Sequence, residues 1–332
     1  MRPPRALPAA HFDRNERYAY FGDRTLMTIV LGTRGSHLAL AQTELAKQAI
    51  ERLPEKPKVK VEIIKTTGDQ LLDVRLSHPG PKVGQGLFTK ELEEALLRKE
   101  IDLAVHSLKD LPTALPTGLE LAATLPRHDP GDVLISKSAK SLGEVPPNGI
   151  VATSSLRRAR QILFVRPDLR IVDIRGNVPT RIAKLVQENS WNAIVLAKAG
   201  LERLGYSWDQ GRIEPPRLFV SNLVELLPAV GQGAIGLQVR SDDTQLKELL
   251  VHVNDAKTWF CIQAERELLS MLGGGCQLPL GVRTRIDGQE FSMEAVLFRD
   301  QMNPVRGFVS GVFTEPREVA TALLDRIYGH GK

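Results

Sequence analysis

The chain has 332 residues, enough for two or three domains with cores of their own, and its apolar (42%) and charged (25%) fractions are those of an ordinary folded protein. Its formal charge of +5 makes it mildly basic, which admits nucleic acid, a membrane surface or a small anion as partner. Two cysteines, Cys261 and Cys276, exclude a disulfide framework and a zinc site; without an apolar run of membrane length or a secretory core at the N-terminus, a cytoplasmic location is expected.

Residues 1–26 mix Pro, Arg and aromatic side chains without period and read as a disordered or over-called extension; Asp13, Glu16 and Asp23 argue against a transit peptide. From Met27 the pattern alternates. Ile29 to Gly32 predicts a short buried strand, and Ser36 caps a helix whose expected apolar face is Leu38, Ala41, Leu45 and Ala49. Val59, Val61 and Ile63 alternate as a strand, Phe88 to Lys99 is amphipathic and helical, and Ile101 to Val105 is again a strand. Further strands are expected at 133–136, 150–153, 171–174 and 193–197, with helices at 156–165 and 178–187 between them. Pro215 and Pro216 mark a loop. The strand Ile235 to Val239 is placed to return to the first sheet. An amphipathic helix from Ala256 to Met271 stops at Gly273, Gly274 and Gly275, and strands with a helix at 319–328 complete a small α+β unit. The order is that of an α/β fold with helices on both faces of its sheets.

Cationic side chains recur at strand ends, where open α/β sheets bind ligands. Arg34 follows the first strand, beside Ser36. Lys109 and Asp110 follow Ile101–Val105. Ser154, Ser155, Arg157 and Arg158 follow 150–153, while Arg175 and Arg181 follow 171–174. Helix N-termini at these places add free N–H groups. One such arginine is ordinarily a surface or structural residue; four strand ends doing the same describe a cleft for several anionic groups. Asp110 is a carboxylate among cations, either a salt-bridge or cap residue or an acid/base group that stabilises a cation. Cys276 lies in Gly-Gly-Gly-Cys-Gln-Leu-Pro, where glycines could expose the thiol and nearby cations favour thiolate; most lone cysteines are buried and inert, so spacing alone favours an inert thiol. Cys261, within a helical pattern, reads as core. Gly231-Gln232-Gly233 precedes a strand instead of following one, so it marks a hinge or close backbone approach, not a dinucleotide loop. No histidine pair suggests a metal.

Eight segments in one order resemble the hydroxymethylbilane synthase (porphobilinogen deaminase) family. They are Gly-Thr-Arg-Gly-Ser (32–36), Gly-Leu-Phe-Thr-Lys-Glu-Leu-Glu (86–93), Asp-Leu-Ala-Val-His-Ser-Leu-Lys-Asp-Leu-Pro (102–112) and Ala-Thr-Ser-Ser-Leu-Arg-Arg (152–158). Then come Arg-Gly-Asn-Val-Pro-Thr-Arg (175–181), Ala-Gly-Leu-Glu-Arg-Leu-Gly (199–205), Pro-Ala-Val-Gly-Gln-Gly-Ala (228–234) and Gly-Gly-Cys-Gln-Leu-Pro-Leu-Gly (274–281). The resemblance implies two periplasmic-binding-protein-like α/β lobes, 27–125 with 234–251 and 131–227, and a smaller α+β domain, 256–332, that carries the cofactor. That cofactor is dipyrromethane, held as a thioether by Cys276. The resemblance makes Asp110 the catalytic aspartate. It assigns cofactor binding to Ser107, Lys109, Thr153, Ser155, Arg157, Arg158 and Arg181, and substrate binding to Arg34, Ser36, Arg175, Arg181, Arg203 and Gln232.

The chemistry so implied is head-to-tail condensation of four porphobilinogen units with loss of ammonia, then hydrolytic release of the linear tetrapyrrole. Asp110 would stabilise the azafulvene cation. Six pyrroles carrying about twelve carboxylates would need an arginine-rich cleft, and the lobes would move as the chain grows. A monomer is implied, with neither nucleic acid nor membrane as partner and no metal. The sequence departs from the family at 74–85, which looks longer and carries Gln85 where a lysine is expected, at the extended segment 206–227, and in an early C-terminal end. Two rival readings are a non-catalytic two-lobed anion-binding protein, which has no need of Cys276 on a glycine loop, and a nucleic-acid-binding protein, against which the few aromatics and absent recognition module count.

Overall fold

The computed structural model describes residues 18–21, 24–66, 89–208, 211–214, 217–274, 278–299 and 303–329. The segment 74–85 with Gln85, the Pro215-Pro216 pair and Cys276 itself lie outside the described residues.

Three sheets organise the chain. In the first, β2 (Arg24–Thr33) pairs in parallel with β3 (Lys58–Ile63) and β4 (Leu103–Ser107), and α1 (His37–Glu51) connects β2 to β3. A short strand, β1 (Tyr18–Phe21), runs antiparallel to the start of β2. This pairing falls within the segment expected to be a disordered or over-called extension, since ladder hydrogen bonds join main-chain groups and need no apolar period. Helix α2 (Lys90–Leu97) precedes β4, and β5 (Leu119–Thr124) lies at the far edge.

The second sheet has the order β10-β11-β6-β9-β7-β8, built from β6 (Asp132–Ser136), β7 (Ile150–Ala152), β8 (Arg170–Val172), β9 (Ala193–Ala197), β10 (Arg212–Ile213) and β11 (Leu218–Asn222). Its helices are α3 (Leu156–Val165), α4 (Val178–Gln187) and α5 (Lys198–Arg203). The chain then returns: β12 (Ile235–Arg240) inserts between β4 and β5 of the first sheet, antiparallel to both, as its apolar run suggested. Helix α6 (Thr244–Val251) follows. The third unit is an antiparallel meander of β13 (Leu280–Asp287), β14 (Glu290–Phe298) and β15 (Pro304–Gly311), whose buried face packs with α7 (Ala256–Met271) and α8 (Pro316–Tyr328).

The buried face of α1 differs from expectation. Gln42, Thr43, Ala46 and Ile50 are buried, while Leu45 is 37% exposed. Polar side chains enter because they are paired: Thr43 Oγ1 lies 2.7 Å from Thr33 Oγ1, and Gln42 Oε1 accepts from Ser107 Oγ at 2.9 Å. Cys261 lies in the core of the third unit, as its helical setting indicated.

Two segments cross between the lobes, one from β5 to β6 and one from β11 to β12. They are hydrogen-bonded to each other, Leu125 N to Ile235 O at 3.1 Å and His128 N to Gly233 O at 3.2 Å. The second contains Gly231 and Gly233 at φ of +72° and +85°, a region glycine enters without strain. A Cβ on Gly231 would lie 2.8 Å from the carbonyl carbon of Leu108, and one on Gly233 would lie 2.5 Å from the carbonyl oxygen of His128. The close backbone approach read from Gly-Gln-Gly is present in this form.

Candidate active site

A cavity of about 370 Å3 opens where the lobes, the second crossing segment and the third unit meet. The 3-10 turn Leu108–Asp110, which follows β4, brings Lys109 and Asp110 to it. The N-terminus of α3 brings Ser155, Arg157 and Arg158; Ser155 is the N-cap and accepts from Arg158 N at 3.4 Å. Helix α4, capped by Asn177 with Pro179 in its first turn, contributes Arg181. Gln232 comes from the crossing segment, and Gly274 and Leu278 from the third unit. These last two flank the short segment that holds Cys276.

The cavity therefore joins seven of the site residues assigned by the resemblance, Lys109, Asp110, Ser155, Arg157, Arg158, Arg181 and Gln232, together with Ser154 of the strand-end set. Six others lie outside its lining. Ser36 caps α1 by accepting from Ala39 N at 3.2 Å. Ser107 donates to Gln42, and Thr153 Oγ1 accepts from Ser155 N at 3.2 Å. Arg34 is half-buried beyond β2, and Arg175 is exposed. Arg203 donates to Gly233 O at 2.7 Å, on the second crossing segment; burial lowers its pKa to about 10.

Arg157 and Arg158 are held by a protein carboxylate that sequence reasoning missed. Asp132, at the start of β6, is buried; Arg158 donates to its Oδ1 from Nη2 at 2.7 Å and Nε at 3.1 Å, and Arg157 Nη2 lies 2.8 Å from its Oδ2. Gln232 Nε2 donates to the same Oδ1 at 2.8 Å and to Pro130 O at 2.6 Å. Burial alone would raise the Asp132 carboxyl, but the two guanidiniums outweigh it and hold the group well below the usual carboxylate range. Arg157 also donates to Leu227 O at 2.6 Å, yet its Nε is buried without a hydrogen-bond partner.

A second omission is Arg266 on α7. It lines the cavity and donates to Leu111 O at 3.0 Å and Pro112 O at 2.7 Å, fixing the chain just after Asp110. An arginine on the inward stripe of a helix was the available signal. Beside it, Glu265 accepts a two-pronged bond from Arg127 (2.6 and 3.1 Å) and one from Gly231 N at 2.8 Å, tying both crossing segments to the third unit.

The cavity's charge is lopsided. Lys109, Arg157, Arg158, Arg181 and Arg266 line it, against Asp110 in the lining and Asp132 behind it. Burial, followed by the like charges of Arg158 and Arg181, pulls the Lys109 pKa down, with Asp110 opposing. Burial and then Arg158 lower Arg181 to about 10, again with Asp110 opposing. Cations pressed together out of water in this way call for added anions.

Fold and site together define a two-lobed α/β protein with a third unit, built around a cationic cleft in which Asp110 is the one lining carboxylate among the described residues. Comparison with known proteins narrows this class. The family described as porphobilinogen deaminase, dipyromethane cofactor binding domain, matches residues 29–248, and the porphobilinogen deaminase C-terminal domain matches 259–326. The porphobilinogen deaminase of Desulforudis audaxviator (strain MP104C) is 45% identical over 305 residues, 91% of this chain and 95% of that one. That of Syntrophobacter fumaroxidans (strain DSM 10017 / MPOB) is 47% identical over 253 residues, 76% and 78% of the two chains. Among solved structures, the methionine-binding protein MetQ is 12% identical with a TM-score of 0.40, covering 72% of this chain and 94% of that one.

The chain belongs to the porphobilinogen deaminase family, transferases of the hydroxymethylbilane synthase type in tetrapyrrole biosynthesis, and carries that family's dipyrromethane-binding domain. Among the described residues no helix is long and apolar enough to cross a membrane.

Proposed function

We propose that this cavity is where porphobilinogen units are condensed, with Asp110 as the catalytic carboxylate and Cys276 as the covalent anchor of dipyrromethane. The observation that carries the reading is convergence: Asp110, the cation cluster and both flanks of Cys276, Gly274 and Leu278, line one cavity. The residues fit a carboxylate-bearing group. The orphaned Nε–H of Arg157 and the mutually repelling Lys109, Arg158 and Arg181 are satisfied by added anions.

When bound, dipyrromethane supplies the pyrrole carbon to which the first substrate is joined. Lys109, Ser155, Arg157, Arg158 and Arg181 hold its carboxylates. Loss of ammonia from porphobilinogen leaves a cation, and Asp110 is the anion placed to stabilise that charge as it develops. Asp132 does not compete for this role, since it is buried with Oδ1 hydrogen-bonded to Arg158 and Gln232 and Oδ2 ion-paired with Arg157. Arg34, Ser36, Arg175 and Arg203 meet substrate carboxylates only when the lobes move, since they lie outside the cavity lining. Ser107 and Thr153 support the site through Gln42 and Ser155. The protein acts as a cytoplasmic monomer on this reading. Cys261 is unfit as the anchor: it is a core residue, and burial pushes its thiol up, away from thiolate.

The test is the intact mass of the denatured protein, followed by peptide mapping. An addition of two porphobilinogen units, each less one ammonia, located on Cys276, is expected. An adduct on Cys261, or none after incubation with porphobilinogen, refutes the assignment and leaves the anion-binding reading in its place.

A further inference from the structure

A second groove, of about 540 Å3, adjoins the catalytic cavity, and Leu278 lines both. Its lining includes Leu156 and Arg160 of α3, Phe298 and Arg299 where β14 ends, and Tyr328 of α8. The walls are apolar and aromatic with two guanidiniums set into them. Arg299 stacks over the Tyr328 ring at 4.3 Å, which holds its planar head while leaving its N–H edge for an acceptor. Neither Arg160 nor Arg299 has an ion-pair partner among the described residues. The arginines of the catalytic cavity differ: Arg157, Arg158, Arg181 and Arg266 all donate to acceptors of the protein itself.

Volume makes the groove consequential. A drug-sized ligand fills a pocket of roughly 300–1,000 Å3, and the catalytic cavity, at about 370 Å3, lies near the lower bound. On the reading proposed above, the enzyme ends its cycle holding six pyrroles with about twelve carboxylates, several times the bulk and charge of such a ligand. One end of that chain is tethered at Cys276 and the other reacts beside Asp110. The pyrroles added between must fold aside near the tether, and the groove shares its Leu278 wall with the residues there.

We propose that this groove takes up interior pyrroles of the growing chain during the later additions, with Arg160 and Arg299 pairing with their carboxylates and the exposed side chain of Leu156 meeting ring faces. The inference rests on the condensation reading, but it can fail alone. The enzyme carrying dipyrromethane is treated with phenylglyoxal, which modifies accessible guanidiniums, before and after limited additions of porphobilinogen; adducts are mapped by peptide mass, with exposed Arg317 as internal reference. Arg160 and Arg299 are expected to react in the primer-only enzyme and to become protected as the third and fourth units are added. In an Arg160→Gln/Arg299→Gln double variant, intact mass should show normal primer loading and first additions. The species bearing the most added pyrroles should fall roughly two- to fivefold in relative population, the scale of an exposed ion pair, and be restored by the double Lys variant. Unchanged reactivity at every stage, protection already complete with primer alone, or a variant whose species match the parent enzyme would overturn the proposal and leave the condensation reading standing. Absence of any covalent pyrrole on the unmodified enzyme would instead sink that reading first.

Discussion

Asp110 and Asp132 show how two carboxylates in one cationic region divide the work. Asp132 is buried against two guanidiniums and an amide, whereas Asp110 is half-buried in the cavity lining with Lys109 and Arg181 under its influence. Asp110→Ala should reduce kcat by at least about 10²–10³-fold, the range for losing one preorganised electrostatic contact, while circular dichroism and the thermal midpoint stay near those of the parent. A variant retaining more than a tenth of the activity would remove Asp110 from its role. Asp132→Asn should behave oppositely. Two buried guanidiniums lose their counter-charge, which costs about 3–5 kcal/mol by urea denaturation at neutral pH. Because the folded-state pKa of Asp132 is depressed, this stabilisation persists above its unfolded value near 3.8 and is lost only as pH falls below it. His106 governs a different window. Its Nε2 lies 2.8 Å from Gln238 Oε1, and burial lowers its pKa from 6.5 to about 4. The folded state thus resists a proton that the unfolded chain takes up. Stability is full above pH 6.5 and falls towards pH 4 by on the order of 3 kcal/mol. Urea midpoints for the parent and His106→Gln between pH 7 and 4 should separate this limb; parallel curves would refute it. At this scale the strand-end pattern located the arginines but not their partner, because Asp132 is 26 residues from Arg158 in sequence and meets it only across the sheet.

The crossing segments are the elements on which the site depends. Gly231 allows the main chain of Leu108 and Lys109 to lie against the second segment, with a Cβ there 2.8 Å from Leu108 C and 3.0 Å from Lys109 N. Gly231→Ala must displace the turn that carries Asp110 or distort the segment, and its φ of +72° adds strain of about 1–3 kcal/mol. We expect kcat to fall by at least tenfold with a smaller change in KM for porphobilinogen, since a misplaced catalytic turn damages the reaction more than binding. Equal kcat would show that the turn tolerates the shift. Gly-Gln-Gly was legible as a hinge because few other residues allow such contacts. Helices α3 and α4 were likewise legible from their apolar periods, and α7 from the glycines that end it, although its buried side carries Thr258, Glu265 and Arg266. The buried face of α1 was not, since Gln42 and Thr43 are buried through hydrogen bonds to Ser107 and Thr33 rather than through apolarity. Strands β5 and β11 escaped notice because each is short and lacks a period of its own; the ladder to β12 fixes the first and the ladder to β6 the second.

Across the whole molecule, a net charge of +5 says little by itself, since much of the consequential charge is concentrated where the three units meet. Among the described residues five cations line the cavity against one lining carboxylate, with Asp132 behind it, so the lobes and the third unit are brought together against their own repulsion. The bidentate Arg127–Glu265 pair, with the Gly231 N–H on the same carboxylate, is one contact that opposes this. Carboxylates of bound dipyrromethane would be another, acting only in the folded state and therefore stabilising it. This yields a prediction separate from activity. On the proposed reading Cys276→Ser cannot form the thioether, and it should fold with a lower thermal midpoint than the loaded enzyme. A gap of about 2–4 °C is expected for each kcal/mol that the added anions contribute. Sodium chloride should narrow the gap by supplying screening to the unloaded protein, although less than for surface charges, because the cavity cations are largely out of water. Calorimetry of both forms at low and high salt decides the matter. Equal midpoints would mean that the Asp132 and Glu265 networks already balance the cluster, and that the cations are held for the incoming substrate alone.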